Sequence, residues 1–283
     1  MKRIVRGVCA LLSAVMLLST TALAEEATYT PVEADYTTRD TGFYNGENAS
    51  LQMELAGRYN SDAMNADGGS LEIVQYNASN GFAYAVSGVK GVLIAIDLNE
   101  NMSGSTVAKL GGSEYNLKEM ITADGFTYGD MTSVAVSPDG RTLAVAIQAK
   151  DYDKAGAVAV FTCKNDGALE LYKTVSVGVQ PDMVTFPPDG RKILTANEGE
   201  PREGYAEGTT DPEGSVSVID TETFSVTTVG FESFDHDELV NDGIILKKGA
   251  DPSVDLEPEY IACDNKAAYV TCQEANAIAV LDL

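Results

Sequence analysis

Histidine, tryptophan and cysteine are scarce in this chain of 283 residues, which has one histidine, no tryptophan and four cysteines. The single histidine, His236, excludes multi-histidine metal centres and leaves a serine triad only one possible base. The sequence also lacks a Gly-x-Ser-x-Gly turn for a nucleophilic serine and a phosphate-binding P-loop. We therefore predict no catalytic residue and no organic cofactor.

Basic residues are scarce as well, and three of them stand at the start of the chain. Lys2, Arg3 and Arg6 precede an apolar run, Val8–Leu18, and a small-residue cleavage site at Ala22–Ala24. This order is typical of a secretory signal peptide, so we assign residues 1–24 to one and predict that the mature chain is extracellular or lies at the cell surface. No later apolar stretch is long enough for a transmembrane helix.

The mature chain is strongly acidic. Removing residues 1–24 takes away three basic and no acidic residues, which changes the formal charge from −24 to −27. Nucleic acid is excluded as a partner because its binding requires cationic side chains. Cations and basic surfaces are favoured instead. The simpler interpretation, that acidity keeps a secreted protein soluble, stays open.

Three cysteines remain after cleavage, Cys163, Cys263 and Cys272. An odd number cannot be fully paired within one chain, and a chain of this length does not need a disulfide framework. The closely spaced pair has no histidines or second cysteine pair beside it, so a zinc site is not indicated. We predict three small, buried, apolar side chains.

After an irregular, polar leader at residues 25–50, one pattern recurs along residues 51–283. Each copy has an apolar strand, a turn, a second strand, a loop of variable length and a third strand. The four copies begin with “LEIVQYNASNGFAYAVSG”, “SVAVSPDGRTLAVAIQ”, “DMVTFPPDGRKILTANEG” and “EYIACDNKAAYVTCQEANAIAVLDL”. The equivalent strand positions are Val74, Val134, Val184 and Ile261. In the second and third copies, Pro-Asp-Gly supplies the turn between the strands.

This pattern predicts an all-β fold, a β-propeller of about four antiparallel blades with one small sheet per copy. A single helix is indicated around Asp235–Asn241, with Ser233 as the candidate cap and Gly243 after its end. A parallel α/β sheet would need a helix between most strands. An all-β sandwich is the structural alternative, but it does not explain the repeated strand order.

Three stretches carry a more specific likeness. They read “GVQPDMVTFPPDGRKILTANEGEPREGY”, “DPEGSVSVID” and “LEPEYIACDNKAAYVTCQEANAIAVLDL”. They closely resemble the choice-of-anchor I domain, the bacterial relatives of mesenchyme-specific cell-surface glycoproteins, and the likeness runs from about Leu51 to Leu283. The resemblance implies a cell-surface or extracellular β-propeller, often tethered by a C-terminal sorting device. Its animal relatives are associated with biomineralisation, and some bacterial members carry an alkaline-phosphatase label.

Members of that family usually continue beyond “NAIAVLDL” with further blades and sometimes an anchor. A propeller removes its exposed sheet edges only by closing the ring. The resemblance therefore implies that the propeller at residues 51–283 is truncated at its C-terminus. A closed ring of four blades, in which the strand around Leu51–Ala56 pairs with the last blade, is the alternative.

A glycine-rich loop between two β-type runs, Ile193–Ala196 and Ser215–Ile219, is rich in carboxylates. They are Glu198, Glu200, Glu203, Glu207, Asp211 and Glu213. Calcium takes six to eight oxygen ligands, and loops that offer carboxylates at glycine turns are its usual hosts. The residues at the two mouths of the loop, which we predict as calcium ligands, are Glu198, Glu200, Asp211 and Glu213. EF-hand spacing is absent, and a solvated rim in which Arg202 pairs locally is the alternative.

A second acidic group precedes the last copy and consists of Asp255, Glu257 and Glu259. Alternate residues of an extended segment point the same way, so these three are predicted to form an acidic face or the wet side of an edge strand. Asp182 and Asp130 stand at the start of two earlier copies. Their recurrence there favours a capping role, in which the side chain bonds a nearby backbone amide.

These features are compatible with two functions of different classes. The first is a non-catalytic module for binding, adhesion or display, peripheral to the membrane or cell wall, which binds calcium and an extracellular ligand, either glycan or protein. The alternative is a metal-dependent phosphoric ester hydrolase, an alkaline-phosphatase-like or phytase-like propeller in which calcium ions hold the ester and activate water. We predict the first, with His236 as an inert surface residue.

Overall fold

The computed structural model describes residues 54–63, 70–100, 102–104, 106–122, 125–203 and 211–283. The predicted signal peptide, the leader at residues 25–50 and Glu207 lie outside these residues. Within them the chain forms seventeen strands and three short helices. The predicted all-β class is therefore confirmed.

Fifteen of these strands belong to four antiparallel sheets. A short strand, β1 (Gly57–Arg58), pairs in parallel with β5 (Ala108–Lys109). The first sheet contains β2 (Val74–Asn77), β3 (Phe82–Ser87), β4 (Val92–Asp97) and β6 (Gly112–Asn116). The second contains β7 (Tyr128–Val136), β8 (Thr142–Ala149), β9 (Ala155–Cys163) and β10 (Leu169–Val179).

The two later sheets have the same order. The third contains β11 (Pro181–Thr185), β12 (Lys192–Asn197), β13 (Ser215–Asp220) and β14 (Val226–Val229). The fourth contains β15 (Pro258–Cys263), β16 (Ala267–Cys272) and β17 (Ala277–Asp282). In each sheet, strands adjacent in the chain are paired side by side. The fourth strand of the first three sheets, β6, β10 or β14, was not predicted from the sequence.

The four repeat landmarks lie in the first strands of four different sheets. Val74 is in β2, Val134 in β7, Val184 in β11 and Ile261 in β15. A sandwich would place several copies in one continuous sheet. The predicted arrangement, with one sheet for each copy, is therefore confirmed and the sandwich is excluded.

The hydrophobic core consists of layers between successive sheets. Leu143, Val145 and Ile147 of β8 pack in the layer shared with the first sheet, and Ala144 and Ala146 pack in the layer shared with the third. This division follows from the strand period of two, which sends alternate side chains to opposite faces. Each large side chain buried in this way stabilises the fold by about 1.5–3 kcal/mol. Sheets stacked face to face through such layers are the blades of a β-propeller.

The layer between the third and fourth sheets is built in the same way. Leu194 and Val216 of the third sheet meet Ile261 and Val270 of the fourth. On the other face of the fourth sheet, large side chains are exposed to solvent: Tyr260, Tyr269, Ile278 and Val280.

The helices are α1 (Leu117–Met120), α2 (His236–Asn241) and α3 (Pro252–Asp255). The prediction of a helix at Asp235–Asn241 is confirmed, but the cap is wrong. Asp235, not Ser233, accepts a hydrogen bond from the backbone amide of Glu238 at 3.0 Å. Helices α1 and α3 were missed because a single turn is too short to show a helical period.

The sheets have two ends with different connections. We call the upper face the end at which the first strand of each sheet begins and the second strand ends. Its connections include residues 150–154, 198–214, 230–257 and 273–276. We call the opposite end the lower face, which holds the turns between first and second strands at residues 78–81, 137–141, 186–191 and 264–266.

Hydrogen bonds join the lower-face turns of neighbouring sheets. The buried side chain of Asn77 donates from Nδ2 to the carbonyl of Gly140 at 2.8 Å, and Ser79 donates to the carbonyl of Asp139 at 3.1 Å. The backbone amide of Asp189 donates to Oδ1 of Asn265 at 2.9 Å. The Pro-Asp-Gly turns thus hold one sheet against the next in addition to reversing the chain.

The three described cysteines are free thiols. Cys272 is buried as predicted, whereas Cys163 and Cys263 are only partly buried. Burial raises the pKa of Cys272 to about 12 and that of Cys163 to about 11, so both are protonated at neutral pH. Of the helices that the structure describes, none has the length and apolar character needed to cross a bilayer.

Candidate functional site on the upper face

Acidic side chains from the third and fourth sheets come together on the upper face. Asp182 follows Pro181 at the start of β11, and Glu259 follows Pro258 at the start of β15. Both strands are the first of their sheets, so the fold places these equivalent residues at the same end of neighbouring blades. Glu198 follows β12 and Glu257 precedes β15. We call these four residues, Asp182, Glu198, Glu257 and Glu259, the acidic cluster.

Burial and mutual repulsion shift the titration of this cluster. The pKa of Glu198 is raised to about 7, first by burial and then by the charges of Asp182, Glu200 and the other two members. The pKa of Glu259 is also raised to about 7, first by burial and then by the charge of Glu274, with which it shares a hydrogen bond. Burial raises the pKa of Asp182. The cluster therefore retains protons near neutral pH, and a bound cation would favour their release.

The four predicted calcium ligands do not come together. Glu200 pairs with Nε of Arg202 at 3.0 Å, which is the local pairing expected for a solvated rim. Asp211 accepts a hydrogen bond from the backbone amide of Glu203 at 2.8 Å, and exposed Glu213 accepts one from Ser253 at 3.3 Å. Of the four, Glu198 belongs to the acidic cluster, and the charge of Glu200 acts on it from beside the cluster. Across the described ranges, no three histidine, cysteine or acidic side chains are arranged to hold a metal ion.

The second predicted acidic group is split by a helical turn. Asp251 caps α3 and Pro252 occupies its first turn, so the segment is not extended at Asp255. Asp255 is buried and accepts a hydrogen bond from the backbone amide of Lys247 at 2.6 Å, with Nζ of Lys247 3.7 Å from its other oxygen. The predicted common face of Asp255 with Glu257 and Glu259 is therefore wrong, and only the last two belong to the acidic cluster.

The two aspartates at the start of earlier copies have different surroundings. Asp130 accepts a hydrogen bond from the backbone amide of Met131 at 2.8 Å, which confirms the capping role predicted for it. No such bond is made by Asp182 within the described part of the chain, and its carboxyl is partly buried beside Glu198 and Glu259. One sequence feature could have identified the site of Asp182: an acidic residue directly after a proline, which Asp182 and Glu259 share.

His236 makes only local contacts. Its Nδ1 lies 3.0 Å from Oδ1 of Asp237, and its Nε2 lies 3.0 Å from the carbonyl oxygen of Lys247. The hydrogen bond with Asp237 is the main cause that raises its pKa. These contacts hold the helix against the following loop and include no serine or cysteine nucleophile.

A cleft of about 490 Å³ opens on the upper face beside the start of β7 and the end of β8. Its lining includes three cations, Lys118, Lys150 and Arg202, from distant parts of the chain. No sequence pattern predicted this cleft, because no repeat or local motif brings these residues together. The upper face therefore carries an acidic cluster and a basic cleft.

The sequence model of the choice-of-anchor I domain matches residues 72–283. A search of curated proteins finds no match.

Among solved structures, three similar chains illustrate the level of likeness. A putative 6-phosphogluconolactonase from Bacteroides fragilis is 19% identical with a TM-score of 0.38, over 56% of this chain and 37% of the other. The periplasmic gluconolactonase of Pseudomonas aeruginosa is 20% identical with a TM-score of 0.39, over 56% and 38%.

The third is the β-propeller domain of Cps50 (Swd1) from Myceliophteria thermophila. It is 14% identical with a TM-score of 0.45, over 75% of this chain and 54% of the other. The chain thus spans between 37% and 54% of the length of these three proteins.

Proposed function

Since the chain belongs to the choice-of-anchor I domain family, we propose that it is an extracellular or cell-surface module that binds or displays a ligand and does not catalyse a reaction. A family model that covers residues 72–283 supports surface location. The stacked sheets supply a rigid support for the upper-face loops. Binding residues are commonly carried by loops on such supports.

The observation that carries the proposal is the acidic cluster. Four carboxylates from neighbouring blades converge there, and burial with mutual repulsion raises the pKa of Glu198 and of Glu259 to about 7. Carboxylates whose pKa values are strongly raised by burial and by neighbouring charges are candidate functional-site residues. A surface that served only for solubility would keep its carboxylates apart and hydrated.

Calcium is the cation that suits these side chains. It is a hard ion that accepts oxygen ligands in irregular geometry. Glu198 and Glu259 would provide carboxylates, with Asp182 and Glu257 beside them, after a rearrangement of side chains. Because the ion replaces the protons that these groups retain, calcium binding should strengthen as the pH rises through about 7 and level off once the carboxylates are ionised.

The test is thermal unfolding of the full mature chain with calcium and with a chelator. Extracellular modules bind calcium with Kd of roughly 0.1–1 mM, so calcium at about 10 mM should stabilise the fold by about 1.4 kcal/mol or more. We expect a higher Tm with calcium at about pH 8 and a smaller effect at about pH 5. An unchanged Tm at both pH values would contradict a structural calcium ion.

The same samples separate a binding module from a phosphoesterase. We expect no release of phosphate from p-nitrophenyl phosphate, with or without calcium. Calcium-dependent release, abolished in Glu198→Gln and Glu259→Gln, would instead support the metal-dependent hydrolase and refute the non-catalytic proposal.

A further inference from the structure

The cleft on the upper face has a wall of polar and aromatic side chains. Tyr128 and Asp130 line it from the start of β7, Tyr152 from the connection between β8 and β9, and Gln180 from the single residue between β10 and β11. A volume of about 490 Å³ lies in the range of small-molecule sites. Gln180 also adjoins the acidic cluster, because its backbone carbonyl accepts a hydrogen bond from the backbone amide of Glu198 at 2.9 Å.

The lining of the cleft is net basic, unlike the chain as a whole, because it holds one carboxylate, Asp130; the charges of Glu203, Asp211 and Asp153 also act on Tyr152 at its edge. The sequence has 19 basic against 43 acidic residues, yet three cations line this one cleft: Lys118, Lys150 and Arg202. No carboxylate lies within ion-pair distance of Lys118 or Lys150 in the part of the chain that the structure describes. Arg202 is already paired with Glu200 and lies 5.5 Å over the ring of Tyr152. The two lysines are therefore available to an anion.

Two polar atoms in the wall lack hydrogen-bond partners. Gln180 is only 2% exposed, and its Nε2 donates to the carbonyls of Tyr152 and Glu200 at 3.1 Å each. Its Oε1 accepts no hydrogen bond among the described residues, and the same holds for the enclosed hydroxyl of Tyr128. The amide of Met131 lies towards that hydroxyl but donates to Asp130 at 2.8 Å.

Buried acceptors without donors are rare in proteins because burial removes their bonds to water. Gln180 has a positive φ of 52°, an uncommon backbone conformation for a residue other than glycine, in the one-residue connection between β10 and β11. A ligand that brings hydroxyl groups to the wall would supply the missing donors, with a small movement of the wall to admit them. A ligand that also carries a negative charge would meet Lys118 and Lys150.

We propose that the cleft binds a carboxylated carbohydrate, such as a uronic acid unit of an acidic polysaccharide. Its carboxylate would pair with Lys118 and Lys150, its hydroxyls would donate to Gln180 and Tyr128, and the ring of Tyr152 would contact the sugar. Inorganic phosphate has the charge but too few hydroxyl donors, and a neutral sugar has the donors but no charge. This assignment rests on the proposed binding function and names its ligand class.

The test is isothermal titration calorimetry of the full mature chain with trigalacturonate. The comparison ligands are the neutral galactose trimer, a galactose phosphate and inorganic phosphate. We expect binding of trigalacturonate that weakens with salt, and binding of the neutral trimer at least tenfold weaker. Tighter binding of the galactose phosphate than of trigalacturonate would overturn the choice of carboxylate as the charged group.

Variants locate the site. Lys150→Ala and Lys118→Ala should each weaken binding about tenfold, because each removes one exposed cation of the cleft. Arg141→Ala is the matched control: Arg141 precedes β8 and Lys150 follows it, so the two charges lie at opposite ends of one strand, about 30 Å apart. The control should bind as the unmodified chain does.

Two further results would overturn the assignment. One is equal affinity for trigalacturonate and its neutral counterpart, or no binding of either. The other is a double variant, Lys118→Ala with Lys150→Ala, that binds as tightly as Arg141→Ala. Neither result affects the calcium-dependent Tm at the acidic cluster, so the two proposals fail separately. Thermal unfolding of each variant verifies that the exposed substitutions leave the fold intact.

Discussion

Replacing Glu198 with glutamine is expected to stabilise the folded chain at about pH 8 and to have little effect near pH 4.5. The cause is the pKa of Glu198, which is raised from 4.5 to about 7, first by burial and then by neighbouring charges that include Asp182. Between these two values the folded state binds more protons than the unfolded state, so stability is lost as the pH rises through about 7. Glutamine has no charge at any pH, so Glu198→Gln removes this loss.

The magnitude follows from the size of the shift. Each pKa unit is worth about 1.4 kcal/mol, so the rise at Glu198 would correspond to roughly 3 kcal/mol for a fully buried group. Glu198 is only partly buried and water screens its neighbours, so we expect about half of this, roughly 1–2 kcal/mol at about pH 8. For a domain of this size, that corresponds to a rise in Tm of about 2–8 °C.

The assay is thermal unfolding followed by circular dichroism in chelator, at about pH 4.5, 6 and 8. Within the described chain the Glu198 carboxylate accepts no hydrogen bond from the protein, so glutamine breaks none. Glu222→Gln is the matched control, because Glu222 is exposed in the turn between β13 and β14 on the lower face and its loss removes the same charge. The control is expected to change Tm by less than about 2 °C.

Two outcomes would refute the reasoning. If Glu198→Gln and Glu222→Gln raised Tm equally at about pH 8, the effect would come from overall charge and not from crowding in the acidic cluster. If Glu198→Gln changed Tm equally at both ends of the pH range, ionisation of Glu198 would not be the cause.

Two further substitutions test the framework that supports the upper face. Urea unfolding should show that Gly140→Ala destabilises the fold by about 2 kcal/mol more than Gly190→Ala does. Both glycines have positive φ, but only at Gly140 would a new Cβ clash with Oγ of Ser79, at 2.1 Å. Equal losses of unfolding free energy would contradict close packing of the lower-face turns. Gln180→Leu should lower the unfolding free energy by about 2 kcal/mol, because it removes the two hydrogen bonds to the carbonyls of Tyr152 and Glu200. An unchanged unfolding midpoint would show that these two hydrogen bonds do not stabilise the fold.

The blades could be predicted from the sequence because strand order and Pro-Asp-Gly turns are local signals. Val134 and Val184 precede such turns by the same distance, and each lies in the first strand of its own sheet. Strand β10 was missed because its tyrosine, lysine and serine side chains face solvent, as expected of an outer strand. Helix α3 was missed because it is a single turn, although the Asp251-Pro252 pair was a readable start signal.

The candidate site was less predictable because it depends on contacts between repeats. The loop at residues 198–214 concentrates carboxylates in sequence, but Glu200 and Asp211 pair within the loop and Glu213 accepts a hydrogen bond from Ser253. Glu198 instead meets residues from the start of two different strands, β11 and β15. Only the equivalence of Asp182 and Glu259 in the repeat pointed to this, and no sequence signal pointed to the basic cleft.

The bonds between lower-face turns have a consequence for how such a chain can change. A residue inserted at 137–141 would displace the backbone carbonyls to which Asn77 and Ser79 donate hydrogen bonds. It would therefore disturb two repeats at once. On the opposite side, connections already range from the single residue Gln180 to the whole segment 230–257. New ligand-binding residues can therefore be acquired, or engineered, in the upper-face connections, while the lower-face turns keep neighbouring sheets bonded to each other.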